Sequence, residues 1–397
     1  MTRSISFIGL AVVALAVLTP ISAKAQTETT IFRFTDGSPN DGLVADAAGN
    51  LYGTEWSGGA NFFGSVFKLS KDSSGAWSEA IIYSFQGPKV GDGNHPLAGL
   101  TFDTKGNMYG TTEYGGVGGF CFYGCGTVYV LAPQADGTWK ERVIHRFYHD
   151  VGGLPQTSVT LDAEGNVYGV ASPVGGGTAG YIYELSPGKN GIWAETVLYI
   201  FPSTKSNQGT DPDAPVIFDG AGNLYGTAFS GGQHRSGVVF KLSPGSSGWT
   251  YSVLHVFGTP GDGANPSGGL VFDASGNLYG TTRYGGSSNV GIAFELSPTL
   301  QGRWAETIIH DFSATDGDDP LSSMIIDAAG NLYGAAPKDG EYGFGSVFEL
   351  SPLAGGWNWN VLHAFNGSDG SYPEGPLVEF QGNFYSVADG AAFEITP

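Results

Sequence analysis

Val271-Phe272-Asp273-Ala274-Ser275-Gly276-Asn277-Leu278-Tyr279-Gly280 is the stretch whose reading decides the fold. Its Gly-Asn-x-Tyr core returns with the asparagine at Asn50, Asn107, Asn166, Asn223, Asn277, Asn331 and Asn383, at intervals of 57, 59, 57, 54, 54 and 52 residues. Self-similarity at such a period is the signature of a repeat architecture, in which each unit buries its apolar faces against its neighbours. Around the phrase the fifth repeat has four short runs: 269–272, 277–281, 292–296 and 304–312. They are β-branched or aromatic and bounded by Gly, Pro, Asn, Asp and Ser, which predicts four strands. No stretch after the first 25 residues keeps an apolar i, i+3, i+4, i+7 pattern long enough for a helix. Four strands per unit and seven units predict an all-β, seven-bladed β-propeller spanning 26–397 as one domain.

The two ends predict how the ring closes. The seventh repeat offers only three strands before the chain stops at Pro397, whereas Glu28-Thr29-Thr30-Ile31-Phe32-Arg33-Phe34 aligns with the fourth strand Glu306 to Phe312 of the fifth. The N-terminal strand is therefore expected to complete the last blade, three strands plus one, leaving no open sheet edge to template aggregation.

Charged residues make up 14% of the 397 and the net charge is −20. Such a surface excludes the phosphate-neutralising mode of nucleic-acid or anionic-lipid binding. Met1 to Ala25 reads as a secretory signal, with Arg3, an apolar run from Ile5 to Leu18, and Ala23-Lys24-Ala25 before a cut after Ala25. The expected location is secreted, periplasmic or at the cell surface, with a monomeric mature chain that does not insert in a membrane. The only cysteines, Cys121 and Cys125, are expected to form a disulfide in that setting.

Repeated residues are assigned to the scaffold. Asp46, Asp103, Asp162, Asp219, Asp273 and Asp327 stand three residues before the phrase's Gly, where a carboxylate caps turn amides. One carboxylate per turn falls short of the six to eight oxygens calcium requires. The tyrosines from Tyr52 to Tyr385 are read as packing between blades, with the Gly after six of them allowing close approach near the axis. His145, His255, His310 and His363 occupy one slot shared with Phe32, Tyr83 and Tyr199, so no metal ligands are assigned. No cofactor is expected, with calcium the alternative at the acidic loops.

Function is sought where the repeat varies. One position in the loop between the second and third strands holds Trp56, Glu113, Ser172, Phe229, Arg283 and Pro337 in turn. Trp56, Glu113, Tyr114, Phe229, Arg283 and Tyr284 are the candidate ligand contacts. They suit a non-enzymatic module that binds an extracellular protein or carbohydrate. The alternative is a polysaccharide lyase or glycoside hydrolase at the channel mouth. The non-repeating acids Glu113, Asp339 and Glu341 stand in suitable loops, but no spacing joins them into a catalytic pair.

The ordered motifs Asp-x-x-Gly-Asn-Leu-Tyr-Gly-Thr-Thr, Gly-Gly, Gly-x-x-Phe-x-Leu-Ser-Pro, Trp, Leu-His-x-Phe and Asp-Gly-x-x-Pro resemble the GloVer-type tandem repeat. The resemblance covers 28–397 and implies an exported bacterial protein, with no catalytic residues to carry over. The sequence departs from anchored members of that family by ending at Pro397 with no C-terminal sorting or hydrophobic tail.

Overall fold

The computed structural model describes residues 27–397, apart from 36, 38, 40, 117–120, 149–151, 174–178 and 203–205. The expected signal segment, Met1 to Ala25, lies outside the described residues. Seven four-stranded antiparallel sheets form the blades, each running a to d in strand order. The first comprises Val44–Ala45, Leu51–Glu55, Ser65–Lys71 and Trp77–Ser84, and the fifth Val271–Phe272, Leu278–Thr282, Ile292–Pro298 and Trp304–Asp311. Strand a is only two residues long in six of the blades, shorter than the sequence suggests. The seventh blade has Val378–Phe380, Asn383–Ala388 and Ala391–Thr396. Its fourth strand is Thr27–Arg33, paired antiparallel with Glu28 opposite Ile395 and Thr30 opposite Phe393. The three-plus-one closure is as expected.

The repeated phrase folds into one hydrogen-bonded unit. Asp273 Oδ1 accepts the amides of Ser275 and Asn277, while Oδ2 accepts Asn277 Nδ2 at 2.8 Å and the Tyr279 hydroxyl at 3.1 Å. Gly276, at φ +84°, makes the turn that brings these donors round. The carboxylate is thus spent on turn chemistry, and the tyrosine is fixed at both ends.

The tyrosine ring then packs on the next blade. Tyr225 meets Phe272 edge-on at 5.0 Å and Trp304 at 6.1 Å. The core therefore lies between blades; one cluster joins Tyr168, Ile182 and Phe201 to Leu224, Phe240 and Leu242. The glycine after the tyrosine has a different role from the one expected. A Cβ on Gly280 would stand 2.6 Å from Phe294 Cζ, and one on Gly226 2.7 Å from Phe240 Cζ. It makes room for the strand c ring of its own blade, not for a crowded axis.

Candidate functional site: the mouth of the axial channel

Six blades begin with a proline seven residues before the turn aspartate and Pro373 holds the place in the seventh, and from the second blade on this proline seats on the blade before. A Cβ on Gly126 would stand 2.5 Å from Pro155 Cδ, and one on Gly237 2.5 Å from Pro266 Cδ. Bare glycine is what lets the blades approach there.

The residue before the proline is left-handed and not glycine in six blades: His95 (φ 56°), Leu154 (51°), Asp211 (59°), Asn265 (59°), Asp319 (66°) and Tyr372 (52°). Such backbone costs roughly 1–3 kcal/mol per residue unless its surroundings hold it. Each amide donates to a carbonyl of the preceding blade's loop, as His95 does to Phe63 at 2.9 Å and Asn265 to Ser236 at 2.6 Å. The carbonyls of His95, Asp211 and Asn265 accept the amides of Glu113, Phe229 and Arg283 at 2.9–3.0 Å. The varying loop position is thereby tied to the left-handed residue of its own blade.

Just after the prolines the chain lines an axial cavity of about 290 Å³. Asp41, Asp213, Glu374, Thr157, Ser267 and Ser322 supply its polar wall. Thr157 and Ser322 are 7% and 5% exposed, and their hydroxyls, like that of Ser267, have no hydrogen-bond partner in the protein. Buried hydroxyls are normally satisfied, so these three are left to bond with water or a polar guest in the cavity.

Burial pushes the Asp213 carboxyl up to about 6, Asp211 adds to the rise, and Arg283 opposes it. Burial likewise raises Glu374, with Lys338 opposing most strongly. It also raises Asp41, against the amides of Gly42 and Gly99 that bind its carboxylate. Above the cavity Asp319, only 1% exposed, takes Arg283 Nε at 2.6 Å, Arg283 Nη2 at 2.9 Å and Lys338 Nζ at 2.7 Å. This buried anion is neutralised from the blades on either side.

The opposite edge of the mouth is aromatic. Trp56 lies against His95 with ring centroids 4.0 Å apart, His95 meets Tyr114 at 5.7 Å, and Tyr114 meets Tyr123 at 6.1 Å. Phe122 and Tyr123 end the run, exposed by 89% and 57%. The Cys121–Cys125 disulfide forms and closes the loop that carries them. Tyr114 is set by a two-residue ribbon, Gly93–Asn94 with Tyr114–Gly115. Tyr284 is set by its counterpart, Gly263–Ala264 with Tyr284–Gly285.

Trp56 and Tyr114 are thus brought together, Arg283 is committed to Asp319, and its Cζ lies 5.4 Å from the Tyr284 ring. Glu113 Oε1 accepts Gln156 Nε2 at 2.9 Å, and Phe229 stays half-buried in the scaffold. Sequence reasoning missed His95, Asp319, Lys338 and the cavity wall. The residue after each proline (Leu97, Gln156, Asp213, Ser267, Leu321, Glu374) varies as the loop position does, and that contrast was available.

Two solved structures are similar in fold. A candidate 6-phosphogluconolactonase from Bacteroides uniformis ATCC 8492 is 14% identical, with 88% of this chain and 90% of that chain covered and a TM-score of 0.57. An ancestral GH74 enzyme is 12% identical at a TM-score of 0.59, with 91% of this chain covering 48% of that one, about half its length. At these identities the likeness carries the fold alone. No curated protein matches the chain. The family model described as the Gloeobacter/Verrucomicrobia repeat matches residues 17–208 and 158–394.

Proposed function

The chain belongs to the Gloeobacter/Verrucomicrobia repeat family, and from that premise we propose that it is an exported module that binds an extracellular glycan at the mouth of its axial channel. The observation that carries this reading is an aromatic run, Trp56 to Phe122, carried by loops joined through Leu97 and the Glu113–Gln156 hydrogen bond to a cavity walled by carboxyl groups and unpartnered hydroxyls. A sugar ring offers both matching surfaces: C–H faces that pack on aromatic rings, and hydroxyls that donate to carboxylates and exchange with Thr and Ser. Calcium is not needed for these contacts.

A second reading, a glycoside hydrolase or lyase at the same mouth, draws support from the raised Asp213 and Glu374. A general acid must keep its proton near working pH, and burial moves both carboxyls in that direction. The two readings separate on a glycan and polysaccharide array probed with the mature protein, with and without calcium. Binding without turnover, weakened at least tenfold by Trp56→Ala, is expected. Release of product from any polymer would transfer the conclusion to the enzyme, and failure to bind any glycan would sink both. Export is checked by the N-terminus of the secreted protein, expected at Gln26.

A further inference from the structure

At the junction of the fourth and fifth blades, three potential ligand atoms converge that the sequence keeps apart. His255 ends strand d of the fourth blade, Asp262 follows in the loop to the fifth, and Glu306 comes from strand d of the fifth. His255 Nε2 stands 3.5 Å from Asp262 Oδ2 and 3.5 Å from Glu306 Oε1. The three atoms lie within 4.8 Å of one another. The side chain of Asp262 is 4% exposed, and Nε2 of His255 and Oε1 of Glu306 are buried with no hydrogen-bond partner.

Two long contacts to one histidine distinguish this junction; at the second, His145 Nε2 stands 3.6 Å from Glu195 Oε1, but among the described residues no third ligand atom joins them. Hydrogen bonds from nitrogen run to about 3.2 Å, so 3.5 Å to both oxygens is long for either. Two ligands held at about 2.0–2.1 Å by one ion in a tetrahedral to trigonal arrangement stand about 3.3–3.6 Å apart. At the first junction Tyr83 fills the histidine slot and donates to Asp92 at 2.7 Å, an ordinary hydrogen bond. At the sixth, Glu28, His363 and Asp369 also gather their ligand atoms within 4.8 Å, but His363 lies 3.1 Å from Asp369, an ordinary hydrogen bond, and Asp369 also accepts both the amide and the side chain of Asn366. At the fifth, His310 stacks on Trp359 at 3.9 Å, which removes the second acid.

We propose that His255, Asp262 and Glu306 bind a zinc-type divalent ion that staples the fourth blade to the fifth, with solvent in the remaining position. Neutral imidazole with two carboxylates suits zinc and balances its charge. Calcium would require six to eight oxygens, which a buried His-containing trio cannot supply. The carboxylate is already oriented, since Asp262 Oδ1 accepts the Gly263 amide at 2.6 Å and Oδ2 the Gly258 amide at 3.1 Å. His255 is braced edge-on against Phe257 at 4.6 Å. Outer-shell supports of this kind fix ligands for a metal. No spacing in the sequence signals this trio, because Glu306 arrives from the next blade.

The test uses the untagged mature protein, stripped with chelator and titrated with Co²⁺ and then Zn²⁺. One equivalent of Co²⁺ should bind with tetrahedral d–d absorption, be displaced by Zn²⁺, and raise the melting temperature. His255→Tyr should keep the fold, because Tyr83 fills the same slot and bonds its loop aspartate. It should weaken binding by more than the roughly 10–100-fold of an outer-shell change. His363→Tyr should leave binding intact. Absence of binding tighter than millimolar would overturn the proposal, as would tetrahedral cobalt that survives in both His255→Tyr and Glu306→Gln.

Discussion

The hydroxyl of Tyr385 donates to Glu394 Oε1 at 3.0 Å, and Asn383 Nδ2 donates to the same oxygen. In the other blades a turn aspartate receives the corresponding tyrosine and asparagine, as Asp273 does. The closing blade has lost that aspartate to a shorter turn and draws its acceptor from strand c instead. An anion at this point is therefore required by the phrase wherever in the chain it comes from. Removing one strands a part-buried tyrosine and asparagine without acceptors.

Asp273→Asn should accordingly destabilise, because the new amide group faces two donors. A loss of about 1–3 kcal/mol is expected in urea denaturation. Glu394→Gln should cost a similar amount, and an unchanged midpoint in both would refute the shared role.

Deleting Thr27–Arg33 opens the ring and leaves the Ala391–Thr396 edge unpaired. The variant should aggregate or melt far below the parent, since exposed edges pair with other chains. Light scattering and calorimetry on the purified variant decide this; a soluble, equally stable deletion would disprove closure by this strand.

Gly280→Ala should cost about 1–3 kcal/mol, because its methyl would enter the space of Phe294. Phe294, fully buried, should cost roughly 3–5 kcal/mol when truncated to Ala. The pair is in contact, so the double variant should be less damaged than the sum. Strict additivity would mean that the ring is not what the glycine accommodates.

Stability should depend on pH in a defined sense. Burial pushes Glu28 and Glu141 up to about 7, and nearby Asp369 and Asp92 respectively add to this. A carboxyl with a raised folded-state pKa contributes stability that is full below about 4.5 and is lost as pH rises through about 7. Burial pushes His145 down to about 4, and Arg146 adds to the fall. Its contribution is present above about 6.5 and is lost as pH falls through about 4. The melting temperature should therefore be highest near pH 5 and decline toward pH 8. Glu141→Gln should flatten the alkaline decline, and a melting temperature that climbs steadily to pH 8 would contradict the assignment.

Reducing Cys121–Cys125 should leave the propeller folded, since so small a loop contributes about 2 kcal/mol. Its effect should appear at the tip, where Phe122 and Tyr123 lose their constraint. Glycan affinity should fall more than the melting temperature does. A collapse of the near-ultraviolet circular dichroism on reduction would argue against this division.

Blade number, strand order and closure were all legible from the phrase around Asn277, because its chemistry is local. Asp273, Gly276, Asn277 and Tyr279 satisfy one another within seven residues, so six copies with the aspartate mean six copies of the turn, and the Gly-Asn-x-Tyr core still marks the seventh blade. The same locality let the turn aspartates be excluded as a binding site. What could not be read was which varying residues meet. Arg283 and Lys338 are 55 positions apart, yet both close on Asp319. His255 meets Glu306 across a blade boundary in the same way. A repeat specifies bonds within a unit, whereas contacts across units depend on how far each blade is rotated about the axis. That rotation is set by face-to-face packing of the whole ring. The sequence by itself determined a closed seven-bladed ring and the loops free to vary; only the tertiary structure decided that the segments after the prolines line one polar cavity, because that depends on how the blades pack round the axis.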